Sequence, residues 1–174
     1  EYQGDFETAL KYYDESLKIK NEIGDDKGRA VSLNNIGFIY QRKGNLNEAL
    51  NYYNQSLEVS EEIEDLGGIT RSLFNIGSIL LIKNDIKNAK INGERAYKIS
   101  QELGFPEHIQ NAAKLLKEIH EKQGDYKMAY VFYQEEIAMR DSLQNEANYK
   151  QALQQQTQYK YEKQHAEDSV AFVK

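Results

Sequence analysis

The sequence predicts an all-α fold in which antiparallel helical hairpins stack into a solenoid and a long helix forms the C-terminal end. Two observations favour this fold. The chain of 174 residues contains one proline and no cysteine, whereas turn-rich β-sandwiches and barrels use proline freely at their corners. The sequence also matches itself at an offset of 40 residues, and a fixed period of this length is typical of repeat proteins.

The repeat is clearest at a turn that occurs four times in register: Gly4-Asp5-Phe6, Gly44-Asn45-Leu46, Asn84-Asp85-Ile86 and Gly124-Asp125-Tyr126. Three residues after each turn stands an alanine, and a small residue at one fixed place predicts a close helix crossing. These alanines are Ala9, Ala49, Ala89 and Ala129. Further apolar residues follow at intervals of four, which is the spacing of one helix face.

Each 40-residue unit is therefore predicted to form two helices. The second-type helices, which follow these turns, are expected at about 5–23, 45–64, 85–103 and 125–140, and the first-type helices at about 27–43, 67–83 and 107–123. Gly44 and Gly124 can adopt the left-handed conformation that ends a helix, and Asn45 or Asp125 can cap the next one. Asp25 and Asp26 also suit a helix start, and Pro106 lies where one is expected.

Five segments follow from this division: a truncated first repeat at 1–24, three repeats at 27–66, 67–104 and 107–146, and a capping or projecting helix at 147–174. The chain begins at Glu1 rather than methionine, so we expect it to be a piece of a longer protein. In the last segment Tyr159, Ala166, Val170 and Val173 approach a heptad seam, which Lys163 interrupts.

Charge and composition exclude several classes of function. The formal net charge is −6, which argues against a nucleic-acid partner. The apolar run around Ile79–Ile82 is far shorter than the roughly 20 residues of a membrane span. The absence of cysteine excludes thiol catalysis and thiolate metal sites, and it fits a reducing cytoplasm and a bacterial periplasm equally well.

We find no catalytic or metal-binding pattern in the sequence. No two of His108, His120 and His165 have the i, i+4 spacing of a helical zinc pair, so we predict solvated surface histidines. The glycines stand at hairpin turns and not in a strand-bound loop that could bind phosphate. The sequence therefore predicts a protein that is not an enzyme and that carries no metal or cofactor.

The repeated unit resembles the tetratricopeptide repeat, in which Leu-Gly-x-x-Tyr on the first helix is followed by Ala-x-x-x-Phe on the second. Ile36-Gly37-x-x-Tyr40 and Ala49-x-x-x-Tyr53 are the best match here. The 40-residue period is similar to the long-repeat branch that includes the kinesin light chain and bacterial Rap-type regulators. The resemblance implies a right-handed superhelix whose concave groove, lined by the first-type helices, binds a peptide or protein segment.

On this resemblance, Leu33, Ile36, Gly37 and Tyr40 belong to the core, and the residues between them face the groove. Asn35 and Asn75 precede Ile-Gly pairs, where similar repeats use asparagine to bind a ligand backbone; the alternative is that these asparagines tie helix to helix. Arg71 and Lys114 could hold a carboxylate. The predicted groove residues are Asn34, Asn35, Phe38, Gln41, Arg71, Phe74, Asn75, Ser78, Asn111 and Lys114, with Val31 and Glu118 nearby; Phe38 and Phe74 are either ligand anchors or packing residues.

The tail supplies a second resemblance. Arg140-Asp141-Ser142-Leu143 and the residues from Gln154 to Gln164 are similar to the segment that joins tetratricopeptide sensor regions to a membrane helix in Bacteroidetes signalling proteins, whose output domain is a histidine kinase, a cyclase or a DNA-binding regulator. This resemblance implies a sensory region that signals through the tail helix, in the bacterial periplasm; otherwise the cytoplasm is expected. A homodimer through the tail helix is a further expectation.

Overall fold

The computed structural model describes residues 3–171, and within them the side chains of 6–151, 153–155, 157, 158 and 161. This part of the chain forms seven α-helices and contains no strand. Their bounds are α1 Gln3–Ile23, α2 Asp26–Arg42, α3 Leu46–Glu62, α4 Leu66–Ile82, α5 Ile86–Leu103, α6 Pro106–Lys122 and α7 Tyr126–Ala171. The prediction of an all-α solenoid is confirmed.

The helices form two layers. Each helix packs on the next in the chain, so that consecutive helices form antiparallel hairpins. The backbones of the first-type helices α2, α4 and α6 also approach one another in order. Within the described residues the second-type helices α1, α3, α5 and α7 stay further apart and meet through long side chains, as where Arg95 of α5 pairs with Glu61 of α3. The first-type helices therefore lie closer together, on the inner side of the bend, and we call them the inner helices. The second-type helices are the outer helices.

The predicted helix bounds agree with the structure to within about two residues, with one exception. The last outer helix was expected to end near residue 140, but α7 continues without a break to Ala171. No glycine or proline follows Gly124 in the sequence, so nothing in the described residues interrupts the helix. The predicted tail helix is thus a direct continuation of the last hairpin.

Close helix crossings explain the small residues of the repeat. Ala49 and Ala89 are fully buried. A Cβ atom on Gly37 would lie 2.8 Å from ring atoms of Tyr53 and 3.3 Å from the carbonyl oxygen of Ala49. Gly37 therefore lets α2 approach α3 closely enough for the aromatic ring to pack on its backbone.

The turns between helices recur every 20 residues, and each turn contains one residue whose backbone is left-handed. The φ angle of this residue lies between 54° and 81° in all six turns, at Gly24, Gly44, Glu64, Asn84, Gly104 and Gly124. The predicted left-handed role of Gly44 and Gly124 is therefore correct. Asp25 and Asp125 cap the following helices by accepting hydrogen bonds from the backbone amides of Gly28 at 2.8 Å and Met128 at 3.2 Å. The side chain of Asn45 makes no cap bond, so that part of the prediction is wrong.

Glu64 is the turn residue for which this conformation is least suitable. We expect Glu64→Gly to raise the free energy of unfolding by about 1 kcal/mol, because glycine removes the steric cost of a left-handed backbone. The matched control is Glu58→Gly, which should lower stability by about 1 kcal/mol because Glu58 lies within the regular helix α3. Urea unfolding of both variants measures the difference, and equal effects at the two sites would contradict the prediction.

Candidate functional site

The predicted ligand-contacting residues lie on the inner helices, and we call the surface that these helices share the inner groove. Asn34 and Asn35 are on α2, Asn75 is on α4, and Asn111 and Lys114 are on α6. Their burial and their hydrogen bonds differ. These differences separate the side chains that a ligand could reach from those that the fold itself uses.

Asn34 is engaged within the protein. It is only 6% exposed, and its Nδ2 donates to Ser72 Oγ at 3.2 Å and Ser56 Oγ at 3.4 Å. Its Oδ1 accepts a hydrogen bond of 2.8 Å from Asn75 Nδ2. Both ends of the amide are thus satisfied, and Asn34 ties α2 to α3 and α4.

Other predicted residues also bond within the fold. Gln41 is half-buried, and its Oε1 accepts a hydrogen bond of 2.7 Å from the hydroxyl of Tyr53. Ser78 donates to the carbonyl oxygen of Phe74 at 2.8 Å, one helical turn earlier. The half-buried Phe74 packs against the apolar cluster that contains Leu115 and Leu116. Each of these side chains is thus engaged, at least in part, by hydrogen bonds or apolar packing within the protein.

Four predicted residues keep ligand-accessible groups. Phe38 is 51% exposed. Asn35 is half-buried and makes no hydrogen bond within the described residues, while Asn75 uses its Nδ2 and keeps its Oδ1 free of internal bonds. Arg71 is exposed and has no ion pair within the same part of the chain. Of the remaining two, Lys114 is exposed and Asn111 is half-buried.

Two cavities open between the inner helices. The first cavity, of about 410 Å³, lies between the starts of α2 and α4 above the end of α3. Its lining residues are Lys27, Ala30, Val31, Asn34, Ser56, Ser60, Glu64, Asp65, Leu66, Gly67, Gly68, Arg71, Leu103 and Phe105. The second cavity, of about 30 Å³, lies between α4 and α6 and is lined by Thr70, Arg71, Phe74, Glu107, His108 and Asn111. Arg71 borders both cavities.

Sequence reasoning missed the serines beneath this surface. Ser56 Oγ and Ser72 Oγ lie 3.1 Å apart and are almost fully buried. The same pair occurs one repeat earlier, where Ser16 Oγ and Ser32 Oγ are 3.4 Å apart. The sequence did contain a signal for these serines, since the pair recurs at the 40-residue offset. In the next repeat two buried alanines, Ala96 and Ala112, replace it.

The histidines differ from the prediction of solvated side chains. His120 is only 5% exposed, stacks on Phe132 with 5.6 Å between ring centroids, and has Nδ1 at 3.3 Å from Asp125 Oδ2. The prediction was wrong for His120 because α7 covers it. His108 is half-buried beside the second cavity; burial lowers its pKa, and Arg71 adds to this effect while Glu107 and Asp65 oppose it. His165 lies outside the described side chains.

The inner helices α2 and α4, with the residues that flank them, contain more basic than acidic side chains. Residues 25–43 and 65–83 contain six basic residues, Lys27, Arg29, Arg42, Lys43, Arg71 and Lys83, and three acidic ones, Asp25, Asp26 and Asp65, for a net charge of +3. Each of the three acids is within 3.6 Å of a basic group. The basic side chains do not share one surface, because Arg29 pairs with Glu62 of α3 at 3.5 Å and Lys83 donates to Asn47 of α3 at 2.6 Å.

Two kinds of structure are not found in the described part of the chain. No group of three or more His, Cys, Asp or Glu side chains there could hold a metal ion. No helix there is both long enough and apolar enough to cross a membrane.

Stacked antiparallel hairpins with a shared inner surface define a helical-repeat protein of the solenoid class. Two models described as tetratricopeptide repeat match the sequence, over residues 1–62 and 70–103. The chain belongs to the tetratricopeptide repeat family. Repeats of this family indicate a module for protein–protein interaction.

Solved structures show the same fold. BtubC (BKLC) from P. vanneervenii superposes with a TM-score of 0.70 at 22% identity, covering 81% of this chain and 59% of that one. The TPR domain of Arabidopsis FLU gives 0.62 at 19% identity, with coverages of 67% and 98%. The apo form of RapI gives 0.54 at 18% identity, with coverages of 81% and 64%. This chain thus spans less than two thirds of the length of BtubC and RapI. No curated protein matches the sequence.

Proposed function

We propose that this chain is a non-enzymatic interaction module that binds a peptide or protein segment along the inner groove. The observation that carries the proposal is the row of accessible side chains on three successive inner helices, with Phe38 on α2, Arg71 and Asn75 on α4, and Lys114 on α6. A segment that crosses these helices would meet an exposed aromatic ring, amide groups and cations in turn.

The asparagines suit an extended ligand because an amide both donates and accepts. Asn35 can bond both groups of one peptide unit, and Asn75 can accept through its Oδ1, each bond contributing about 0.5–1.5 kcal/mol. Asn34, Gln41 and Ser78 support the surface from within the fold. We therefore assign ligand contact to Asn35, Phe38, Arg71 and Asn75, with Asn111 and Lys114 at the far end of the groove.

Two phenols with raised pKa values stabilise contacts between helices. The largest shifts fall on the phenols of Tyr53 and Tyr97, whose pKa values burial raises; a hydrogen bond to Glu135 contributes at Tyr97. The phenol of Tyr53 bonds to Gln41 within its own hairpin, whereas that of Tyr97 joins α5 to Glu135 of α7.

A selection from random twelve-residue peptides displayed on phage tests the proposal while the natural partner is still unidentified. We expect the wild-type chain to enrich peptides whose binding falls at least about fivefold in Phe38→Ala and Asn35→Ala, since each removes a groove contact worth about 1 kcal/mol. The matched control is Ile91→Ala, which truncates a side chain 54% exposed on the outer helix α5. Peptides that lose affinity equally in Ile91→Ala and Phe38→Ala would contradict a binding site in the inner groove.

The continuous helix α7 favours a second proposal, a sensory region that transmits ligand occupancy to an output domain. The helix has 46 residues, or about 70 Å at 1.5 Å per residue. Its first turns are fastened to the solenoid, where Glu136 pairs with Lys117 of α6 at 2.9 Å and Glu135 accepts from Tyr97 of α5. A shift between the last hairpins would therefore move the whole helix, and a homodimer through its distal part would bring two output domains together.

A further inference from the structure

A cleft of about 400 Å³ lies between the outer helices α1 and α3, and we call it the outer cleft. It shares no lining residue with the two cavities of the inner groove. Its floor is apolar, because Leu33 and Val59 are 4% and 7% exposed and pack in one cluster with the half-buried Leu17. The cleft is large enough for one long side chain whose alkyl part lies on this floor.

Acidic side chains form the rim of the outer cleft. Glu58 and Glu62 stand one helical turn apart on α3, and both line the cleft. The cation of the lining is Arg29, whose Nη2 lies 3.5 Å from Glu62 and 3.2 Å from Asp26. Glu58 is exposed and has no ion pair within the described residues. Arg29 is therefore shared between two other carboxylates, and Glu58 keeps an unpaired negative charge at the rim.

The helix that carries this rim is acidic along its whole length. Residues 46–65 contain no Lys, Arg or His, and their six acids are Glu48, Glu58, Glu61, Glu62, Glu64 and Asp65. Three of these acids receive a cation from a neighbouring helix, from Arg95 at Glu61, Arg29 at Glu62 and Lys27 at Asp65. A cationic group that approaches the outer cleft thus meets a field of the opposite sign.

The next repeat shows which side chain spans the equivalent pair of outer helices. There Arg95 of α5 reaches across to Glu61 of α3, with 2.6 Å between Nη2 and Oε1. Forty residues earlier these two positions hold Gln55 and Asn21, which both line the outer cleft. The side chains of Gln55 and Asn21 make no hydrogen bond in the described part of the chain. The protein therefore bridges α3 and α5 with its own guanidinium and lacks the corresponding bridge between α1 and α3.

From the apolar floor, the unpaired acid and the missing bridge together, we infer that the outer cleft is a second interaction surface, which binds a protein segment that inserts one arginine or lysine side chain between α1 and α3. The alkyl part of the inserted side chain would lie on the apolar floor, and its charged end would bond to Glu58 and Glu62. This surface is separate from the inner groove, so the inference goes beyond the proposed function and does not depend on it.

Supplying the missing bridge from within the chain tests the inference. The double variant Asn21→Glu with Gln55→Arg copies the pair that joins α3 to α5 and leaves the net charge unchanged. Random twelve-residue peptides displayed on phage are first depleted on this variant and then selected on the wild-type chain. We expect a pool of binders to survive the depletion and to be enriched in Arg and Lys, because the variant fills only the outer cleft. Urea unfolding should show the variant to be as stable as the wild type.

Charge reversal at the rim provides an independent variant. Glu58→Lys should weaken the selected peptides about tenfold or more, because it replaces an attraction with a repulsion. The matched control Glu102→Lys makes the same charge change at an exposed position of α5 and should alter the affinity less than twofold. Phe38→Ala should leave the affinity unchanged, since Phe38 lies on the inner helix α2 outside the lining of the outer cleft.

The outcomes separate the two surfaces. A pool that disappears on depletion, or one that is not enriched in Arg and Lys, would overturn the inference and leave the proposed function intact. An equal loss of affinity in Glu58→Lys and Glu102→Lys would show that net charge alone acts, and would also overturn it. Surviving peptides that lose affinity in Phe38→Ala but not in Glu58→Lys would bind in the inner groove, which supports the proposed function and overturns the outer cleft as their site.

Discussion

Tyr53→Ala is expected to lower the free energy of unfolding by about 3–5 kcal/mol, the usual cost of truncating a buried aromatic residue. Tyr53 is fully buried and packs in one cluster with Ala49, Ile76 and Ile79. Its ring fills the space that Gly37 leaves open, and its hydroxyl donates to Gln41 at 2.7 Å. The substitution would open a cavity between α2, α3 and α4 and remove the partner of a half-buried amide oxygen.

The repeat supplies a matched control for this substitution. Tyr133 occupies the same position two units later, but it is 46% exposed because no helix of the described chain follows α7. Tyr133→Ala should therefore cost about 1 kcal/mol or less. Urea unfolding followed by circular dichroism compares the two variants. A loss at Tyr133 as large as that at Tyr53 would contradict burial at the close crossing with Gly37 as the cause of the effect.

The effect of Tyr53→Ala should reach beyond its own hairpin. A solenoid is stabilised by each repeat and by the interfaces between neighbouring repeats. Tyr53 contributes to both, because it contacts Gly37 within its own hairpin and Ile76 in the next. Hydrogen exchange should therefore show loss of protection in α2, α3 and α4 and a smaller change in α6.

Local sequence patterns were sufficient to predict the fold, because each hairpin contains its own signals. The glycines at turns, the alanines at crossings and the four-residue spacing of apolar residues each act within about 20 residues of chain. Glu64 and Asn84 take the left-handed turn conformation without being glycine, and the 40-residue register still placed their turns. The continuity of α7 was missed because a shift towards glutamine and lysine is not itself a helix stop.

The groove was harder to predict because burial on an inner helix depends on the neighbouring repeat. Asn34, Phe74 and Lys114 occupy the same position in successive units. Asn34 is buried by its bonds to α4, Phe74 is half-buried against the cluster around α6, and Lys114 is exposed where no inner helix follows in the described chain. Spacing along one helix cannot distinguish these cases, so the sequence placed Asn34 and Lys114 in the groove alike.

Shortening the chain after Glu146 is expected to convert a homodimer into a monomer, if the distal part of α7 forms the dimer contact that we propose. Beyond that point Tyr149 is 70% exposed and Leu153 is 51% exposed. Isolated helices are marginally stable in water, so a helix of this length gains stability from a partner, and a second copy supplies the same face by symmetry. Sedimentation equilibrium should give twice the chain mass for the full protein and once the chain mass for the shortened one.

A helix-breaking variant distinguishes the effect of losing the helical dimer contact from the effect of removing residues. Gln155→Pro keeps the length of the tail but interrupts α7 at an exposed position, at a cost of about 3 kcal/mol to the helix. It should weaken dimerisation as truncation does, whereas Gln155→Ala should not. The solenoid ahead of the break keeps its own packing, so the melting transition of the repeats should be unchanged in both variants. A full chain that sediments as a monomer, or a shortened chain that remains a dimer, would exclude α7 as the dimer contact and remove the basis for transmission through paired helices.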